Sequence, residues 1–355
     1  MKTNNPSRLK DFLTFAGVIL AFLVVYIMRS RGMLTRSLSG QLVPICAYVV
    51  MAISLNLTVG VLGELSLGHA GFMSVGAFSG VVAAMSLASV IPSPVLRLVI
   101  AMVVGAIFAA ITGVIVGVPV LRLQGDYLAI VTLAFGEIIK DLINCLIVGV
   151  DGNGLHILFN ATGSRSVSDL HLMEGGKVII KGAQGATGVK AIATFPAGVV
   201  LNLLALVIVL NLMHSRSGRA IMALRDNRIA AESVGINVTK YKMMAFVTSA
   251  ALAGAAGALY GLNFSTIVSS KFNFNTSITV LVFVVLGGLG NMTGSIIAAA
   301  VLTILPEALR GFDKYRMLAY AIVLIVVMLG TNNPQAKALV GKLIPHKKKG
   351  AEEGA

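Results

Sequence analysis

The chain has 355 residues, of which 57% are hydrophobic and only 12% are charged. Soluble domains carry roughly 25% charged residues, so this composition excludes an ordinary soluble globular protein and points to a membrane. The net charge of +14 does not imply nucleic acid. The basic residues gather in short loops and tails, as Lys and Arg do on the cytoplasmic side of membrane proteins, and no aromatics are interleaved with them for base stacking.

A helical span needs about 20 apolar residues, so the length allows roughly eight to ten spans. The apolar runs are continuous rather than alternating, which excludes a β-barrel. They are Phe12–Met28, Leu38–Val61, Leu67–Val90, Val95–Val118, Tyr127–Val148, Phe195–Met213, Met243–Asn263, Ile278–Pro306 and Met317–Gly330. The expected class is an all-α polytopic membrane protein with broken or re-entrant segments. The first run has no small-residue cleavage site, and Arg29 and Arg31 follow it, so it reads as a retained span. Cys46 and Cys145 lie inside apolar runs and give neither a disulfide framework nor metal-ligand spacing.

Two runs are broken by glycine in the same way. Gly60, Gly63, Gly68, Gly71 and Gly76 precede and enter the third; Gly287, Gly288, Gly290 and Gly294 interrupt the eighth. Each glycine alone is explained by close helix packing. The pair of polar-decorated interruptions, with Gly63 and Gly68 in one and Gly287, Gly288 and Gly290 in the other, instead predicts broken helices of the kind that line a transporter's pathway.

Polar side chains inside the runs or at the glycine breaks mark candidate pathway positions. They are Asn56, Glu64, Ser66, His69, Glu137 and Asn291. Glu137, Lys140 and Asp141 share a helix face at i, i+3 and i+4 and equally fit a self-neutralised packing pair. Buried Asn commonly serves as interhelical glue. Residues 147–194 form the longest connection. Its Asp151-Gly-Asn-Gly154 opening hints at a calcium loop, but Thr162 stands at the twelfth position where Glu is required, so a plain turn is expected.

His214–Lys242 is persistently polar yet patterned as helix. It carries Arg216, Arg219, Arg225, Arg228, Lys240 and Lys242 against Asp226 and Glu232. Ser217–Arg225 reads as one short helix. Asp226 or Asn227 caps a second over Ile229–Val234, and Gly235 suits the left-handed position after it. With six runs before it, a cytoplasmic placement puts the N-terminus (Lys2, Arg8, Lys10) inside as well, and the Lys337–Lys349 tail agrees. Arg29, Arg31 and Arg36 fall outside in this scheme, against the charge rule. No G-x-x-x-x-G-K-[ST], H-E-x-x-H, G-x-S-x-G or C-x-x-C occurs, so no ATP site, metal, cofactor or catalytic constellation is expected in this chain.

Several stretches resemble the membrane subunits of bacterial branched-chain amino acid ABC importers of the LivM type. They are Val120–Ile138, Leu55-Asn-Leu with Gly63–Phe72, Arg225–Asn237 with Ala258-Leu-Tyr260, and Val285–Gly290, and they cover most of Leu42–Arg310 in family order. The resemblance implies an ABC importer permease fold in the bacterial inner membrane, as one permease domain over residues 12–330. It implies a periplasmic loop at 148–194, a cytoplasmic coupling loop at 214–242 and a basic cytoplasmic tail at 331–355. It also implies a homologous LivH-like permease as heterodimer partner, two ABC ATPase subunits, a periplasmic amino-acid-binding protein, membrane lipid around the spans and no nucleic acid.

Coupling would fall on Arg219, Arg225, Asp226, Ala230, Ala231, Glu232 and Gly235, because Ala230-Ala231-x-x-x-Gly235 is similar to the coupling motif of importer permeases. Ile229 stands where many of them carry Glu, and the Asp151–Gly154 run departs from the family's Gly-Pro-Asn-Gly. The implied cargo is leucine, isoleucine and valine. The alternative from the residues alone is an ion- or proton-coupled secondary transporter using Glu64, His69 or Glu137. A membrane-embedded enzyme or a purely structural subunit is the remaining class.

Overall fold

The computed structural model describes residues 6–33, 35–123, 125–152, 154–160, 167–170, 173 and 176–309, with 315, 318, 321, 322, 324 and 325. Residues 1–303 form one compact unit and residues 304–355 a second. The run Met317–Gly330 is described only at isolated helical positions, and the tail 331–355 lies outside the described residues.

Helix α1 (Pro6–Ser30) is followed by α2 (Arg36–Asn56), whose N-terminus is capped by the Thr35 hydroxyl accepting from the Leu38 amide. From Met51 to Leu57 nearly every side chain of α2 is fully buried, so the helix shows no polar face, as expected of one enclosed on all sides. It runs straight into a π-helical turn, Leu57–Leu62, ended by Gly63 at φ +81°. Only glycine adopts that left-handed backbone without cost, and the chain remains irregular until α3 (His69–Ser86).

α3, α4 (Pro94–Val120) and α9 (Val238–Gly261) pack backbone to backbone. A Cβ on Gly76 would lie 2.0 Å from the Gly254 carbonyl oxygen, and one on Gly257 would lie 2.0 Å from that of Met73. Small residues at such contacts let membrane helices approach where dispersion, rather than water exclusion, drives association. The outer face of α4 exposes Val103, Ile107, Ile111, Val114, Ile115 and Val118, a lipid- or partner-facing surface.

α5 (Asp126–Asn144) ends earlier than its apolar run. The last residues of that run, Leu146–Val148, begin β1 (Leu146–Asp151), which pairs antiparallel with β2 (Gly154–Phe159) and with β3 (Lys177–Lys181). β4 (Ala186–Thr187) and β5 (Thr266–Ile267) complete a sheet of order β2-β1-β3-β4-β5. Among the described residues, the long connection therefore contributes strands, and the helical class gains a small sheet. The Asp151 carboxylate lies 3.1 Å from His156 Nε2 and accepts from the Met173 amide at 3.3 Å, so its oxygens serve the hairpin; no metal-holding group occurs among the described residues.

The remaining helices are α6 (Phe195–His214), α7 (Arg216–Asp226), α8 (Arg228–Ser233), α10 (Phe274–Gly287) and α11 (Met292–Ala308). Among the described residues, six helices are long and apolar enough to cross a membrane, with shorter apolar helices at Thr14–Ser30 and Met292–Ala308. α5 is not one of the six, and its Asp126, Glu137, Lys140 and Asp141 explain why.

Candidate functional site

The second glycine interruption separates α10 from α11. Gly288 and Gly290 both take left-handed φ, and Asn291 caps α11 by accepting from the Gly294 amide at 3.2 Å. Asn291 itself is exposed. This break meets the first one. Asn56, fully buried near the end of α2, donates from Nδ2 to Ser295 Oγ at 2.9 Å and accepts from the Gly290 amide through Oδ1 at 2.8 Å. A Cβ on Gly60 would fall 1.9 Å from Asn56 Oδ1 and 2.2 Å from the Gly290 nitrogen, so a bare backbone at residue 60 is what lets the two breaks touch.

The polar segment closes over this contact. Arg225, at the end of α7, donates from Nη1 to the Gly60 carbonyl at 2.7 Å. Its Cγ lies 2.6 Å from where a Cβ of residue 63 would be. Nε and Nη2 both point at Asp226 Oδ1, at 3.4 Å each, which orients the guanidinium fork. Behind it, Lys242 on α9 pairs with Glu64 in the first break, and both are largely buried, with side-chain exposures of 5% and 16%.

α7 and α8 form a compact knob. Ser215 Oγ accepts from the Gly218 amide at 3.0 Å and Asn227 Oδ1 from the Ala230 amide at 3.0 Å, capping the two helices in turn. The Gly235 amide donates to Glu232 O and the Ile236 amide to Ala231 O, with Gly235 at φ +84°. These are the two bonds of a Schellman stop. Leu224, Ala231 and Val238 are buried together, with Ile236 and Tyr241 against them. Ala230, Ile229 and Val234 face outward, the last two 80% and 75% exposed. Arg219 donates to the His214 carbonyl at 3.3 Å, and Glu232 pairs with Arg228 one turn away.

A buried polar layer lies beside the first break. His69 Nε2 is 2.7 Å from Ser54 Oγ, and Ser249 Oγ donates to the Ser54 carbonyl. Thr132 Oγ1 accepts from the Leu67 amide and Ser277 Oγ from the Ala70 amide. Ser66 is buried, and its hydroxyl has no partner among the described residues. Gly68 closes the irregular stretch as the N-cap of α3, and Gly71 lies within that helix. They let α5 approach, with a Cβ on Gly68 falling 2.0 Å from the Thr132 carbonyl oxygen. On α5, Glu137 pairs with Lys140 and accepts from the Phe274 amide at 3.3 Å, where the positive end of the α10 dipole favours a carboxylate. A narrow crevice lined by Leu67, Gly136, Glu137, Phe272, Asn273 and Ser277 opens there.

A profile of the branched-chain amino acid transport system / permease component family matches residues 37–330. The chain belongs to this family. The match takes in both breaks, the knob and the sheet. The chain is 33% identical to the high-affinity branched-chain amino acid transport system permease protein LivM of Salmonella typhimurium over 302 residues, covering 79% of this chain and 66% of the relative. The Escherichia coli K12 LivM is 33% identical with the same coverages. This permease-family chain thus spans just under two thirds of the length of those relatives. The LivH permease protein of E. coli K12 is 28% identical over 37% of this chain and 43% of its own length. The ribose import permease protein RbsC of Haemophilus influenzae is 32% identical over 34% and 40%. No solved structure matches.

Sequence reasoning singled out Glu64 and Arg225 separately, one as a pathway residue and one as part of the knob. It missed Lys242 as Glu64's partner, and Gly60 and Ser295 as the seat and anchor of the contact. Lys242 carried a usable signal, since a lysine seated one turn into an apolar helix requires a counter-charge.

Proposed function

We propose that the chain is a multi-pass permease subunit of an ATP-driven importer in the bacterial inner membrane, forming the translocation pathway for leucine, isoleucine and valine. It works as a heterodimer with a homologous LivH-like subunit. A periplasmic binding protein delivers the substrate, and two ABC ATPase subunits hydrolyse the ATP at their own sites. The observation that carries this reading is the α7–α8 knob. It is capped at both helices, closed by the Gly235 turn, exposed at Ile229 and Val234 and joined through Arg225 to the first helix break, which Asn56 ties to the second. A solvated basic loop requires none of these features. A rigid body with an exposed apolar tip and a hard connection to the broken helices is what transmission of force from a cytoplasmic motor requires.

On this reading α7–α8 faces the cytoplasm and receives an ATPase subunit at Ala230, Ile229 and Val234, with Ala231 and Gly235 holding the shape. The buried layer of Ser54, Ser66 and His69 and the crevice at Glu137 lie along the pathway. The LivM relatives, named for branched-chain amino acids, match over 79% of this chain, whereas the ribose permease relative matches over 34%, which favours the amino acid cargo.

The test is reconstitution into liposomes with the LivH-like subunit, both ATPases and the binding protein, reading uptake of labelled leucine. ATP-dependent uptake that requires every subunit is expected. Uptake by this chain alone, driven by a proton or sodium gradient, overturns the proposal in favour of a secondary transporter.

A further inference from the structure

We infer that Arg225 and the Lys242–Glu64 pair are positioning residues of the transport cycle, a two-point latch that makes the knob and both helix breaks move as one body. The inference rests on the reading of α7–α8 as the ATPase-docking segment, and it reassigns Glu64 from lining the pathway to transmitting motion.

Arg225 reaches the first break at a backbone carbonyl freed by unwinding. The Gly60 oxygen belongs to the last turn of a π-helical segment, where carbonyls lack partners further along the helix. Arg225 donates to it at 2.7 Å. The Gly290 backbone stands against the same group, since a Cβ there would be 3.4 Å from the Gly60 oxygen and 3.8 Å from Arg225 Nη1. One guanidinium therefore touches the place where the two breaks meet.

The stem of Arg225 covers Gly63, filling the space that a side chain at that left-handed turn would claim. Asp226 holds the remaining fork nitrogens. A lysine offers a donor of similar reach but cannot satisfy both the carbonyl and the carboxylate in one plane.

The second point lies at the next residue of the first break, Glu64. Lys242 stands four residues beyond the start of α9, the helix that enters the helical core directly after the knob. It pairs with Glu64 across 178 positions of sequence. A buried pair of this kind is costly to separate, because either partner left alone is an uncompensated charge. The start of the irregular stretch, Gly63 and Glu64, is thus held by a side chain leaving α7 and one entering α9. A displacement of the knob cannot leave the break where it was.

Arg225 is half-exposed, so its variants test the latch without emptying a core. In the reconstituted complex, Arg225→Met is expected to lower leucine uptake about tenfold, the scale of a lost charge-assisted hydrogen bond, while the ATPases stay bound and still hydrolyse ATP. KM for the loaded binding protein should hold, and Arg225→Lys should recover part of the loss. Lys242→Met is expected to lower turnover, and the exchanged Glu64→Lys/Lys242→Glu pair to restore it.

Wild-type uptake in Arg225→Met overturns the latch, and so does loss of ATPase binding, which would make Arg225 a docking contact. A changed KM at Glu64 that the exchange fails to repair returns Glu64 to the pathway and also overturns it. Failure of the wild-type chain to bind ATPases is separately visible and removes the docking proposal on which the latch rests.

Discussion

Asn56 and Gly290, 234 positions apart in the chain, share a 2.8 Å hydrogen bond in which the Gly290 amide donates to the buried Asn56 side chain. The same side chain donates to Ser295 at 2.9 Å. One amide group thus joins the end of α2 to the break before α11 and to α11 itself. The two glycine interruptions, which in sequence are separate irregularities, make one junction.

Replacing Asn56 with Leu removes both bonds while keeping volume. It leaves the half-buried Gly290 amide without its acceptor, while the buried Ser295 hydroxyl loses one partner and keeps its bond to the Asn291 carbonyl. A stranded group costs about 1–3 kcal/mol in water-soluble proteins, and interhelical bonds in membranes average about 0.6 kcal/mol. The expected loss is about 1–3 kcal/mol, read by denaturant titration in detergent micelles. Wild-type stability would mean that the junction contributes nothing to the fold.

Gly60→Ala should be worse than its chemistry suggests. The added methyl lands 1.9 Å from the Asn56 side-chain oxygen Oδ1 and 2.2 Å from the Gly290 backbone nitrogen, so the breaks must part. Gly40→Ala supplies the control, because nothing lies within 4 Å of a Cβ there and helix propensity favours Ala by about 1 kcal/mol. A fall in thermal midpoint for the first and none for the second is expected.

Gly235→Pro should abolish uptake while the chain still inserts and keeps its helical content. Proline fixes φ near −65° and cannot take the +84° found here. It also removes the amide that donates to Glu232. Gly235→Asn should be mild, because Asn tolerates the left-handed region. Hydrogen exchange confined to α8 checks the local cause, and unchanged uptake in the proline variant would refute a role for the knob.

Glu137→Gln should impair uptake with assembly intact, as the pathway reading requires. Its ion pair with Lys140 is partly exposed, so the stability loss is expected to stay under about 1 kcal/mol. The glutamine carbonyl still accepts from the Phe274 amide. Loss of assembly instead would mark the Glu137–Lys140 pair as a packing element.

Much of this was legible in the sequence, and the reason differs by element. Apolar runs give spans because burying backbone in lipid admits few alternatives, and Gly63, Gly290 and Gly235 mark turns because left-handed backbone selects glycine. The cap of α8 follows from Asn227. What could not be read is long-range pairing. Nothing local links Gly60 to Gly290, or Glu64 to Lys242. Nor do glycines announce their job: Gly63 turns the chain, whereas Gly71 and Gly76 in the same run sit inside α3 and admit neighbouring backbones. The sheet was hidden for a related reason. Leu146–Val148 continues an apolar run, and a short apolar stretch does not declare its period.

The central claim is that α7–α8 is a cytoplasmic docking surface. Labelling of Ile229→Cys by a membrane-impermeant maleimide tests it most directly, since Ile229 is 80% exposed and supports no part of the knob's interior. The expected result is labelling in inside-out vesicles but not in right-side-out ones, and protection once the ATPase subunits are added. Labelling from the outside, or full labelling with the ATPases bound, would contradict it.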